Sequence, residues 1–248
     1  MTWQLVESNG IRYCRSQLLA DFPWLQQGFS TRDQAPGGRA AAETEQEYRR
    51  RFFGLFQLTP EQTQLVKQVH GDTVLKVEEL RPGKEWPEAD AMITNRPGIG
   101  LATVHADCVP VILVDPVHRA IAAVHAGWKG TLAGIIRKTV ARLGVEYGSV
   151  PAECYAAIGP AIGSCCYRVS PERVALFAEK WPELDLTASR QESTLDLALI
   201  NQKFLENCGF PPEQIDNARL CTACHHGDFY SFRREQVTGR MLSLVVMK

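Results

Sequence analysis

Two segments, VPVILVD at residues 109–115 and AIAAVHAG at 120–127, are almost continuously apolar. That pattern predicts adjacent strands covered on both faces. Shorter apolar runs, DAMITN, GIGLATVH and the closing RMLSLVVMK, predict further strands, and DFYSFRRE is read as one more, with Thr238-Gly239 as the turn before the last. TQLVKQVHG and DTVLKVEEL alternate on either side of Gly71-Asp72 and predict a hairpin. AECYAAIGPAIGSCCYRV reads as a strand, a Gly-Pro loop and a second strand.

Helical spacing appears elsewhere. ETEQEYRRRFFGLFQL puts Tyr48, Phe52, Leu55 and Phe56 on one face. TLAGIIRKTVARLG predicts a helix with Thr131 as its N-cap and Gly144 as its stop. Ser170 before Pro171 opens the helix PERVALFAEKW, since proline suits a first helical position. DLALINQKFLENCG gives another, ended by Gly209. Strands and helices interleave without a linker-like composition shift. The expectation is one mixed α/β domain over residues 1–248, a central mixed β-sheet assembly flanked by helices, with the Pro-Gly-Gly segment 32–43 as a flexible loop.

Composition narrows the class. At 248 residues, 45% apolar and 22% charged, the chain can bury a full core. Its 27 basic and 28 acidic residues balance to −1, which gives no basis for a nucleic-acid or anionic-membrane partner, and no protein partner is indicated. The first residues lack a basic segment followed by an apolar run, and no stretch approaches eighteen apolar residues. A cytoplasmic protein is expected, and its eight cysteines are expected to be thiols. Cys165 and Cys166, adjacent on a predicted strand, would point to opposite faces and pack. Cys221-x-x-Cys224-His225 formally matches a haem attachment motif, but without an export signal a plain loop is preferred to haem or a second structural zinc.

The candidate chemistry lies at strand ends. His70, Cys108 and His125 each adjoin a turn, a Gly or a Pro, where a sheet holds side chains rigidly and opens them to a pocket. Two imidazoles and a thiolate suit Zn2+, and three protein ligands leave a position for water or substrate, as in catalytic zinc. Copper can occupy the same donors, since Cu2+ outcompetes zinc on intrinsic affinity. A multicopper oxidase is excluded by count, because only six histidines are available. By spacing alone, buried core His and Cys remain an alternative, and His105 competes as a ligand. Cys108 and His125 could equally form a nucleophile and its base.

The segments QVHG, ADCVPVIL, VHAGWKGT, IGPAIGSCCYRV and FYSFRREQVTGR resemble, in this order, the YfiH-like family, also called laccase-domain protein, polyphenol oxidase or purine nucleoside phosphorylase. The resemblance runs from about Gln64 to the C-terminus, with GFSTR at 28–32 similar to the family's N-terminal segment. DQAPGGRA then replaces the Gly-Gly-Val-Ser run expected there. The resemblance implies a zinc enzyme with His70, Cys108 and His125 as metal ligands and, through the metal, as the catalytic set. It also implies phosphorolysis of adenosine, inosine and methylthioadenosine, and deamination of adenosine. Its small-molecule partners would be a nucleoside and phosphate, and Arg32, Lys129 and Arg233 are the candidate phosphate contacts. No His-x-Glu motif supplies a proton shuttle, and Asp107 should face away from its neighbour Cys108. Two other classes stay open: a metal- or Cys/His-dependent hydrolase of a cell-wall precursor amide, and a non-enzymatic protein with structural zinc.

Overall fold

In the computed structural model, which describes residues 3–32, 45–80 and 85–248, the strands form two six-stranded mixed sheets. The first contains β1 (Trp3–Ser8), β2 (Ile11–Ser16), β3 (Leu25–Ser30) and β4 (Thr63–Gln64). The second begins with β5 (Val74–Lys76) and β6 (Ala91–Thr94). β7 (Gly100–His105) returns to the first, while β8 (Val109–Asp115), β9 (Ala120–Ala126), β10 (Tyr155–Ile158) and β11 (Ile215–Asn217) complete the second. β12 (Met241–Met247) closes the first. The orders are β1-β2-β3-β12-β7-β4 and β11-β10-β8-β9-β6-β5.

The period-two alternation of side chains, with both faces covered, explains why β8, β9 and β12 are apolar over most of their length. On β8, Val109, Val111 and Leu113 pack with helical residues such as Ile136, Leu143 and Phe204. The intervening Ile112 and Val114 pack with Leu101, Met241 and Val245 of the first sheet. β12 repeats the arrangement one layer out, its Leu242, Leu244 and Val246 meeting Tyr48, Phe52, Phe53 and Phe56. Both sheets are therefore covered twice. The layers run helix, sheet, sheet, helices.

Two helices, α1 (Gln17–Ala20) and α2 (Glu45–Gly54), belong to the first half of the chain. α3 (Trp128–Ala133) and α4 (Ile135–Tyr147) follow β9 directly, and α5 (Pro171–Lys180), α6 (Thr187–Glu192) and α7 (Leu197–Asn207) precede β11. α8 (Phe232–Glu235) is a single turn before β12.

The structure departs from the sequence reading at four places. The expected hairpin over 63–80 is a crossover: β4 pairs in parallel with β7 in one sheet, and β5 in parallel with β6 in the other. The expected helix from Thr131 begins at Trp128, breaks at Gly134 (φ +84°) and runs on to Tyr147, with Gly148 (φ +77°) as its cap. Thr131 is buried and accepts a hydrogen bond from Asn201, so its hydroxyl caps nothing. The FRRE end of DFYSFRRE forms α8, with Ser231 capping through Arg234 N, because the chain must turn before β12. The segment around Cys165 and Cys166 is a turn closed by Cys166 N and Tyr167 N on Gly163 O. Most of the loop expected at 32–43 lies outside the described residues.

Candidate metal centre and active site

The crossover decides the site. In leaving the first sheet for the second, the chain carries His70 to the end of β9, where His125 is the penultimate residue. Cys108 precedes β8, and the register Pro110↔His125 sets it beside that same end. One donor atom from each of His70, Cys108 and His125 lies within 4.8 Å of the others. The two imidazoles meet edge to face at 4.9 Å. His125 is buried, Cys108 half-buried and His70 exposed, so the group opens to solvent on the His70 side.

Asp90 organises the group. Its carboxylate Oδ1 lies 2.8 Å from His125 Nδ1 and accepts from His70 N at 3.0 Å. Oδ2 accepts from Gly71 N at 2.7 Å and Val69 N at 3.2 Å. Its backbone carbonyl accepts from His125 N. One fully buried carboxylate thus fixes the ring of one candidate ligand and the backbone of the other. These bonds also hold His70 at φ +60°, a conformation rare for a residue with a side chain. Sequence reasoning did not single out Asp90; its only signal is an acidic residue abutting an apolar strand.

The donor set fits a soft or borderline divalent ion. With Nδ1 facing Asp90, Nε2 of His125 is left for a metal, the carboxylate–histidine arrangement that orients metal-bound imidazoles. A cradle of the right size is present, bordered by Gly127. A Cβ there would fall 2.8 Å from the His70 ring, 3.2 Å from Cys108 Sγ and 3.7 Å from the His125 ring. Glycine leaves that space clear where the chain enters α3.

Without metal the pair is charged. Burial alone would raise the thiol and lower the imidazole. For Cys108 burial is more than offset by the His125 charge and by hydrogen bonds with His125 and His70, bringing the thiol down to about 6. For His125 burial is likewise outweighed, by the Cys108 charge and the bond to Asp90, raising it to about 9. Cys108 contributes stability that is full above its ordinary 9.0 and lost as pH falls through about 6. His125 contributes stability that is full below its ordinary 6.5 and lost as pH rises through about 9. The thiolate–imidazolium pair therefore spans the window between. In chelator-stripped protein, iodoacetamide should alkylate Cys108 at a rate that climbs through about pH 6 and then stays level. A climb near the ordinary thiol pKa would contradict this pairing, and metal-loaded protein should resist the reagent.

The remaining candidates are placed differently. Arg32 pairs with Glu235 and lies over the Tyr230 ring. Arg233 donates to the carbonyls of Cys166 and Arg168 and covers the Tyr167 ring. Lys129, in the first turn of α3, is exposed beside Trp128. Asp107 is turned away from the group, accepting from Thr222 Oγ1 at 2.6 Å and Arg233 N at 2.7 Å. His105 is buried, and burial together with the His125 charge pushes it down to about 3, so it stays neutral. Among the described residues, which include all six histidines, two groups of metal-type ligands converge: this one, and Cys165, Cys166, Cys221 and Cys224. No helix among those residues is long and apolar enough to cross a membrane.

Comparison with known proteins places this site in context. The family model described as "Multi-copper polyphenol oxidoreductase laccase" matches residues 28–248. A protein named "Purine nucleoside phosphorylase" from Bacteroides thetaiotaomicron is 35% identical over 200 residues, covering 76% of this chain and 74% of that protein. "Purine nucleoside phosphorylase YlmD" of Bacillus subtilis is 38% identical over 193 residues, 73% and 69% of the two chains. Among solved structures, YlmD from Geobacillus stearothermophilus superposes with a TM-score of 0.85 at 28% identity, covering 100% of this chain and 99% of that one.

Proposed function

The chain belongs to the multi-copper polyphenol oxidoreductase laccase family, and from that premise we propose that it is a zinc-dependent purine nucleoside phosphorylase acting on adenosine, inosine and methylthioadenosine, and also deaminating adenosine. The observation that carries this reading is the convergence of His70, Cys108 and His125, with Asp90 behind His125. The names of its relatives supply the substrate class. The family description is a poor guide to the metal count, because four of the six histidines lie outside the group that would be needed. Zinc is preferred over copper on the donor set, two imidazoles, one thiolate and a free position.

Zinc held there would supply Lewis acidity and make hydroxide accessible at neutral pH. The chain's own residues do the rest. Asp90 keeps the proton on His125 Nδ1 and so fixes which nitrogen faces the reaction. In phosphorolysis a phosphate oxygen bonds to the sugar C1′ while the purine departs with the electrons of the glycosidic bond. The phosphate must be held in line, and Lys129 at the head of α3 is the cation this reading favours, since Arg32 and Arg233 already have protein partners. The exposed His70 side is the route of entry.

A second reading has its own observation. Cys108, His125 and Asp90 also form the nucleophile, base and orienting carboxylate of a thiol hydrolase, with the thiol brought down to about 6. Its substrate would be a cell-wall precursor amide. A purely structural zinc is disfavoured, since such sites usually have four protein ligands.

The two are separated by incubating the protein with each nucleoside and phosphate, with and without chelator. Phosphate-dependent release of free base, and conversion of adenosine to inosine, both abolished by chelator, is the expected result. Untouched purines with chelator-resistant, alkylation-sensitive cleavage of a muramyl dipeptide would overturn it.

A further inference from the structure

The second group of converging ligands has no role in the chemistry above. We propose that Cys165, Cys166, Cys221 and Cys224 bind a second, structural zinc ion as four thiolates. Their sulfurs all lie within 4.8 Å of one another. Cys224 Sγ is 3.5 Å from both Cys165 Sγ and Cys166 Sγ. Four sulfurs at zinc-bond length, about 2.3 Å, sit about 3.8 Å apart at the corners of a tetrahedron. The two Cys224 pairs are close to that figure, and the remaining pairs fall within 4.8 Å. An iron–sulfur cluster spreads its thiolates over two or more irons and would hold them farther apart.

The backbone is arranged for four thiolates. Cys165 and Cys166 leave the strand pattern in a turn, so the adjacent side chains, which on a strand would diverge, face one point. Cys221 and Cys224 come from a second turn, in which His225 N bonds Cys221 O. The two turns are joined by a parallel bridge between Ala161 and Cys221. Gly163 N donates to Cys221 Sγ at 3.3 Å, the kind of bond that stabilises a ligating thiolate. Four thiolates around a divalent ion carry a net double negative charge. Two guanidinium groups brace the turns that carry these cysteines: Arg233 donates to Cys166 O, and Arg234 to Thr222 O and Ala223 O. Cys165 and Cys224 are exposed, which gives the ion a way in.

Such an ion would pin together the two turns that position Asp107. Thr222, between the ligands Cys221 and Cys224, donates to the Asp107 carboxylate, and Ile162 N bonds the Asp107 carbonyl. Asp107 is itself at φ +89° immediately before Cys108. The second ion is thus a support for the first site and lies outside its chemistry.

The test is zinc stoichiometry by mass spectrometry on freshly purified full-length protein. Two zinc ions per chain are expected in the wild type, and one in the double variant Cys165→Ser/Cys224→Ser. Should that variant fail to fold, Cys108→Ala decides: it should retain one zinc and, reloaded with cobalt(II), show tetrahedral d–d bands with strong thiolate-to-cobalt charge transfer. A Cys108→Ala protein without zinc, or native protein lighter by two hydrogens through a disulfide among the four cysteines, overturns the proposal. Neither outcome bears on purine chemistry.

Discussion

Cys108→Ala should lose the metal at the first site and lower kcat/KM for adenosine phosphorolysis by about 10³-fold or more. The magnitude follows from the several kcal/mol that a Lewis-acidic ion contributes to a transition state, each ~1.4 kcal/mol being a factor of ten. The loss should fall on activity and leave the fold intact. Cys108 is half-buried just before β8, and the apolar residues that hold β8 in place begin at Val109. With the thiolate gone, His125 loses the charge that most raises it and should titrate lower. Activity and zinc content measured on one preparation check the expectation. Full activity with the metal retained would remove the thiol from the reaction, and full activity with the metal gone would remove the metal.

Asp90→Asn should weaken metal binding by about 10- to 100-fold, the usual cost of losing the carboxylate behind a ligating histidine. It should also destabilise the protein by roughly 3 kcal/mol, because a buried charged network is broken on one side. The geometry makes asparagine a poor substitute in either orientation. Oδ1 serves His125 Nδ1 and His70 N, and Oδ2 serves Gly71 N and Val69 N. Whichever oxygen becomes the amide nitrogen, two donors then face a donor. In the wild type, burial pushes the Asp90 carboxyl up and the His125 and backbone N–H bonds outweigh it, so its pKa lies below the ordinary value. Its contribution to stability is therefore full above its ordinary 3.8 and lost as pH falls through the lower native value. Asp90→Asn should flatten the acid limb of the stability curve, as read by thermal unfolding at a series of pH values.

What the sequence reveals of this molecule follows its layering. β8, β9 and β12 are legible because burial between two layers demands apolar residues on both faces, and that demand is local. The helices around Tyr48, Val174 and Ile200 are legible by their period and, for α5, by Ser170-Pro171. β1 to β3 pass unassigned, since β1 is partly exposed and mixes polar with apolar residues. The 63–80 segment misleads because β4 and β5 carry strand-like alternation yet pair with different, distant strands. Parallel pairing leaves no turn signature between partners. At the site, the identities of His70, Cys108 and His125 come from motif resemblance, whereas their convergence depends on that crossover, which no local pattern encodes. Asp90 acts through hydrogen bonds to backbone groups some twenty residues away, beyond any spacing rule. The Cys165–Cys166 segment is misread as a strand because the chain turns at Gly163 in a stretch whose composition suits one, while Cys166 still packs against the core.

The most direct measurement is anomalous X-ray scattering from crystals of the full-length protein, with data collected on both sides of the zinc absorption edge. A peak within bonding distance of Cys108 Sγ and of ring nitrogens of His70 and His125 is the predicted result. If zinc-replete, active protein scatters anomalously at the four cysteines alone, or nowhere near His125, the three side chains do not share an ion and the proposed chemistry falls with them.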